Sequence, residues 1–158
     1  MNRLHSLDEM VQLGYEQAQR TLIGTKEQIA PSWLLQSDTG ERILIMTPWG
    51  NSFEKELIQA QMRKAMKEHL TLSYSIVLEA WASYLAPGEV QKVRPSKDPN
   101  RYEVVMVIAT DGSAIRIRQF KIIRDPITGK CRELEEVPVE HDEKYSSPFL
   151  ELLRYTHD

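Results

Sequence analysis

The chain has 158 residues, of which 41% are hydrophobic and 27% are charged, and its formal net charge at pH 7 is −3. This length predicts one folded domain over residues 1–158, and the apolar content excludes general disorder. A dedicated nucleic-acid-binding protein is usually strongly basic because phosphate neutralisation dominates its affinity, so the slightly acidic balance argues against that class.

The single cysteine and the lack of a long apolar run favour a cytoplasmic protein. Cys131 has no partner for an internal disulfide, which favours a reducing compartment. The first residues lack the apolar core of a signal peptide, and the longest apolar run, residues 104–109, is far shorter than the ~20 residues that span a bilayer. We expect a bacterial or phage cytoplasm and no contact with a membrane.

Capping and turn signals divide the chain into three helices and six strands. The segment 6–9 (SLDE) has the pattern of a capping box, and Gly24 is a natural helix stop. Asn51 and Glu54 repeat the capping pattern, and Pro148 suits the first position of a short C-terminal helix. Apolar spacing gives the predicted bounds: helices over 7–22, 51–69 and from 147, and strands over 32–37, 42–47, 72–84, 102–110, 113–124 and 131–139.

These elements predict an α+β fold with the order α-β-β-α-β-β-β-β-α. Successive strands joined by tight turns pair antiparallel, so the sheet is expected to be mostly antiparallel with the helices packed on one face. The strand over 72–84 is dense in aromatic and branched residues, which favours a central position in that sheet.

The turn at Asp111-Gly112 predicts the register of one hairpin and, from it, a polar sheet face. A two-residue loop sets Thr110 opposite Ser113 and Val105 opposite Arg118. If the strand over 72–84 neighbours this hairpin, one face, away from the helices, collects an aromatic ring, two carboxylates and two guanidinium groups. The residues expected on this hypothetical binding face are Glu79, Trp81, Glu103, Arg116 and Arg118, with Arg101 at its edge.

Two simpler interpretations compete with ligand binding at this face. An open antiparallel sheet commonly carries cross-strand ion pairs on its solvated side. A homodimer that stacks two such faces would also account for the mixture of apolar and charged residues.

The sequence predicts no catalytic residue, metal site or cofactor. Cys131 lies among basic residues, but no base is identifiable beside it. The helix start after Pro48 could attract an anion, yet we expect Asn51 and Glu54 to satisfy its N–H groups, and no phosphate-binding glycine motif accompanies it. The histidines lack the spacing of a zinc site: His5, His69, His141 and His157.

Short motifs in the chain resemble a group of small bacterial and phage-associated proteins. The motifs are Thr47-Pro48-Trp49, Glu79-Ala80-Trp81 and the segment from Pro95 to Val105 (PSKDPNRYEVV). Those proteins share a helix, a strand pair, a helix, a strand with an EAW-like triplet, a loop with PS..PDR.EV-like residues and a hairpin, so the likeness covers residues 40–125. The resemblance implies this fold and no assigned activity, and it draws attention to Glu79, Trp81, Arg101 and Glu103.

Three functions follow as hypotheses. The first is a non-enzymatic binding or regulatory domain that contacts a protein, a second copy of itself or a small polar ligand through the polar face and the 87–101 loop. The second is a hydrolase or transferase for a phosphorylated substrate, with Glu79 or Glu103 as general base and Arg116 and Arg118 clamping the anion. The third is a weak nucleic-acid binder that uses the basic residues of 116–132.

Overall fold

A computed structural model describes residues 3–47, 52–82, 97 and 99–139. The chain order is α1 (Leu7–Leu22), β1 (Ser32–Ser37), β2 (Arg42–Met46), α2 (Ser52–His69), β3 (Thr71–Ala82), β4 (Tyr102–Thr110), β5 (Ile115–Arg124) and β6 (Cys131–Val137). The strands form one six-stranded antiparallel sheet in the order β2-β1-β3-β4-β5-β6. The predicted α+β class and element order are confirmed over this part of the chain, whereas the predicted C-terminal helix, the Asn51 cap and most of the 87–101 loop lie outside the described residues.

The start of α1 follows directly from its sequence. The Ser6 hydroxyl accepts a hydrogen bond from the Glu9 backbone N–H, and the Glu9 carboxylate accepts one from the Ser6 backbone N–H, so the predicted capping box is present. Two of the first N–H groups that a helix leaves unpaired are satisfied in this way. The buried residues of α1 then form one stripe against the sheet: Met10, Val11, Gly14, Ala18 and Leu22.

The two described helices pack on opposite faces of the sheet, so the expectation that helices share one face is wrong. The cluster under α1 contains Val77, Val105, Val107 and Phe120. The cluster under α2 contains the alternate residues of the same strands and of β1, among them Trp33, Leu35, Tyr74, Ile76 and Ile108. Both faces of the central strands are therefore buried, which their dense apolar sequence allows.

The β4–β5 hairpin has a longer loop than predicted. Thr110 pairs with Ile115 instead of Ser113, and Val107 instead of Val105 pairs with Arg118. The Asp111 carboxylate accepts hydrogen bonds from the backbone N–H groups of Ser113 and Ala114, which stabilises a wider turn. Because the register shifts by two residues, every side chain keeps its predicted face.

None of the helices in the described ranges combines the length and the apolar character that are needed to cross a membrane.

Candidate functional site

The residues of the predicted polar face do share one face of the sheet, but that face lies under α1. Val105 pairs with Glu79 of β3 and with Phe120 of β5, and this row is flanked by Arg118 on one side and by Glu103 on the other. Phe120 is 1% exposed and stacks on Tyr15 of α1 at 4.3 Å between ring centroids. Val105 and Phe120, the apolar members of this row, lie under the helix and separate the predicted face into an arginine group and a carboxylate group.

The arginine group joins α1 to the sheet. Arg118 donates to both carboxylate oxygens of Glu136, at 3.0 and 2.8 Å, and to the Gln12 side chain at 2.8 Å. Its guanidinium also lies 5.1 Å from the Tyr15 ring centroid, while Arg116 pairs with Asp8 at 3.3 Å. Both arginines therefore make contacts within the fold.

The carboxylate group lines a cleft at the opposite end of α1. This cleft has a volume of about 240 Å³, and we call it the Glu79 cleft. Its walls come from β3, β4 and the loop that follows α1, and they consist of Gln28, Ile29, Glu79, Ala80, Trp81 and Glu103. Three of the predicted site residues therefore meet in one concave site, and Arg101 lies beside them on Trp81.

Glu79 is held in place by the loop after α1. Its Oε1 atom accepts a hydrogen bond of 2.7 Å from the Ile29 backbone N–H. Burial of this half-buried side chain raises the pKa of the Glu79 carboxyl, with a further increase from Glu103 nearby, against opposing effects of the Ile29 N–H and of Arg124. Among the described residues, no cation lies within ion-pair distance of Glu79.

Glu103, unlike Glu79, forms an ion pair with another described residue. The Arg124 Nε atom donates to Glu103 Oε2 at 2.7 Å, and Arg124 Nη1 donates to the Gly129 carbonyl at 3.1 Å. Arg124 is thus held by two groups of the fold, and the Glu103 charge is compensated. Of the two carboxylates that line the cleft, Glu79 is the one left to interact with a ligand.

Trp81 supplies an accessible aromatic surface at the mouth of the Glu79 cleft. Its side chain is 41% exposed, which is unusual for so large an apolar group. The Arg101 guanidinium carbon lies 4.3 Å from its ring centroid, within the range of a cation–π interaction. The indole ring is therefore oriented so that it can accept a guanidinium group.

Sequence reasoning missed three contributors to this site: Gln28, Ile29 and Arg124. Gln28 and Ile29 follow α1 in the chain, and no local pattern indicates that their segment folds over β3. Arg124 reaches Glu103 from the end of β5, where the register with β6 shifts between Ile123 and Arg124. Strand alternation alone does not predict the contacts of a residue at such an irregularity.

Comparisons with known proteins found no matching family model, no matching curated protein and no matching solved structure. Within the described ranges, no group of three or more His, Cys, Asp and Glu residues is arranged to hold a metal ion.

Proposed function

We propose that the chain is a non-enzymatic binding domain whose Glu79 cleft receives an arginine or lysine side chain of a partner protein. The observation that carries this proposal is the half-buried Glu79 carboxylate, which is fixed by the Ile29 N–H and forms no ion pair within the described residues, while the attraction of the more distant Arg124 is shared with Glu103. A carboxylate removed from bulk water attracts a cation more strongly than an exposed one does, because the surrounding dielectric is lower.

The neighbouring side chains suit the same ligand. Trp81 offers an aromatic face next to the carboxylate, and cations bind favourably over indole rings. Arg101 already occupies part of that face, so a partner's guanidinium would stack in the same way or displace it. Glu103 adds hydrogen-bond acceptors to the wall of the cleft while its charge stays paired with Arg124.

The enzymatic alternative has weaker support. A raised carboxyl pKa beside a cleft is common at catalytic sites, and Glu79 has that feature. A phosphorylated substrate, however, needs cations at the cleft, and the expected clamp, Arg116 and Arg118, is engaged with Asp8 and Glu136 at the far end of α1. The nearby Arg124 is held by Glu103 and Gly129.

Binding of a basic peptide tests the proposal. The probe is the blocked tripeptide Gly-Arg-Gly, with blocked Gly-Gln-Gly as its uncharged match, titrated while amide chemical shifts around Trp81 are followed. We expect the arginine peptide alone to bind, and we expect Glu79→Gln to weaken it about tenfold or more, since the substitution removes the charge from a partly desolvated pair. The control Glu135→Gln, which removes an exposed carboxylate of β6, should leave binding unchanged.

The pH dependence of this binding has a definite direction. The ordinary pKa of a glutamate side chain is about 4.3. Because the pKa of Glu79 is raised, its protonation, and with it the weakening of peptide binding, should set in at a higher pH than for an ordinary glutamate. Equal binding of the two peptides, or undiminished binding to Glu79→Gln, would exclude the cleft as a cation site.

Stability gives an independent check on Glu79. Its pKa is raised in the folded chain, so the folded state binds this proton more tightly than the unfolded state, and the free energy of unfolding falls as pH rises from the ordinary carboxyl pKa to the raised one. Glutamine cannot ionise, yet its side-chain oxygen can still accept from the Ile29 N–H. We therefore expect the urea midpoint of unfolding of Glu79→Gln at neutral pH to equal or exceed that of wild type. A lower midpoint would mean that the ionised Glu79 stabilises the folded state.

A further inference from the structure

The outer edge of β2 has backbone groups directed away from the sheet. In the β1–β2 ladder, the Thr47 N–H donates to the Pro31 carbonyl at 2.9 Å and the Ser37 N–H donates to the Glu41 carbonyl at 2.8 Å. Hydrogen-bonded pairs alternate along an antiparallel ladder, so Ile43 and Ile45 direct their N–H and C=O groups toward β1. The same groups of Arg42, Leu44 and Met46 then point outward, and the described residues place no strand beyond β2.

An exposed apolar surface accompanies this edge. Leu44 is 52% exposed and Met46 60% exposed, and both side chains lie on the face that α1 covers elsewhere. The backbone of α1 lies close to β3, β4, β5 and β6, and a side-chain contact joins the helix to β1, where Gln36 Nε2 donates to Met10 Sδ at 3.8 Å. Between α1 and β2 lies a groove of about 180 Å³ with mostly apolar walls, which include Leu13, Leu34 and Leu44.

The opposite edge of the sheet is protected against pairing, whereas no such protection of β2 comes from residues 3–47, 52–82, 97 and 99–139. β6 exposes four charged residues: Arg132, Glu133, Glu135 and Glu136. Its first residue, Cys131, forms a β-bridge with Ile23, which follows α1. Exposed charges of this kind are the usual means by which natural edge strands avoid pairing with other chains. β2 carries a single charged residue, Arg42, in the sequence RILIM. This difference between the two edges indicates that the β2 edge is suited to a partner strand.

We infer that β2 pairs antiparallel with β2 of a second copy of this chain, with Leu44 opposite Leu44 at a two-fold axis. In this register Arg42 lies opposite Met46, and all outward N–H and C=O groups of β2 gain partners from the same groups of the other copy. The two arginines are not opposed, and the two Leu44 side chains meet on the same face, beside the two apolar grooves. The inference uses none of the residues of the Glu79 cleft and stands independently of the proposed function.

The self-pairing of Leu44 allows a charge-swap experiment. We expect the full chain to dimerise in analytical ultracentrifugation from low to high micromolar concentration. Leu44→Glu and Leu44→Lys should each raise the dissociation constant by about 100-fold or more, because each places two like charges directly opposite each other. An equimolar mixture of the two variants should dimerise again, since glutamate then faces lysine.

A matched control separates this effect from a general loss of exposed apolar surface. Leu57→Glu changes a leucine that is 50% exposed and belongs to α2, the helix on the face of the sheet opposite to Leu44, so the dimerisation of this variant should equal that of wild type. Circular dichroism of each variant verifies the fold. A wild-type chain that stays monomeric throughout, or a dimer that persists in Leu44→Glu, would overturn the inference, and so would a mixture that fails to restore the dimer.

Discussion

Replacing Trp33 with alanine is expected to lower the free energy of unfolding by about 3–5 kcal/mol, which is the usual cost of truncating a fully buried tryptophan. Trp33 lies on β1 with 0% exposure and faces α2. Its ring packs beside that of Tyr74, with 5.8 Å between centroids, and its Nε1 donates to the Thr47 hydroxyl at 3.0 Å. Alanine would leave a large cavity in this cluster and remove the partner of a buried hydroxyl.

Urea unfolding followed by circular dichroism measures this effect, and two further variants sharpen it. Trp33→Phe keeps most of the apolar volume and loses the Thr47 hydrogen bond, so we expect a smaller loss of about 1–3 kcal/mol. Trp81→Ala is the matched tryptophan control, because Trp81 is 41% exposed, and it should lower stability by clearly less than Trp33→Ala does. A Trp33→Ala protein as stable as the control would contradict the assignment of Trp33 to the core.

The second large effect is expected at Gly14, where α1 touches the sheet. A Cβ atom on Gly14 would lie 2.5 Å from Cγ1 of Val107, a distance that real Cβ atoms essentially never show, and at a tight 3.0 Å from Cγ2 of Val77. Valine side chains are stiff, and both of these are buried in the cluster under α1. Gly14→Leu should therefore force α1 off the sheet and lower the free energy of unfolding by about 3 kcal/mol, the upper range for overpacking.

A double-mutant cycle distinguishes this steric cause from a helix-propensity effect. Alanine is a better helix former than glycine by about 1 kcal/mol. In the wild-type background, Gly14→Ala therefore combines a gain in stability from helix propensity with a loss from the steric clash. In a Val107→Ala background, which removes the Cγ1 atom, Gly14→Ala should become neutral or stabilising, as measured by urea unfolding. A Gly14→Ala change that stabilises the wild-type chain would show that the close approach of α1 is not required.

Some element bounds could be predicted from sequence because they depend on residues close in the chain, whereas the predicted start of β5 at residue 113 and end of β6 at residue 139 each differ by two residues from Ile115 and Val137. The capping box at Ser6 to Glu9 begins α1, and the predicted bounds of β1 and β4 agree with the structure. The face that each helix covers was beyond such reasoning, because β3 and β4 are apolar on both sides. Val77 and Val105 on one face can pack against a helix as well as Ile76 and Ile108 on the other face can.

The candidate site was predictable only where strand neighbours define it. Trp81 and Glu103 are directly paired and Glu79 is one row away, so strand alternation brings these three together. Arg116 and Arg118 share their face but lie beyond the row of Val105 and Phe120, and a face assignment alone gives no distance along the strands. Ile29 and Arg124 join the site through a long loop and a register shift, neither of which has a local sequence signal.

The placement of α1 and α2 on opposite sides of one sheet has a consequence for how this sequence can diverge. The two buried clusters share no residue, since successive side chains of each strand alternate between them. A volume change on one side is therefore accommodated mainly by its own helix, and the backbone layer between the clusters shields the other side. Substitutions in one cluster are therefore constrained mainly by packing within that cluster. The residues of the cleft beside α1 could change to bind a new ligand while the cluster beneath α2 keeps its packing.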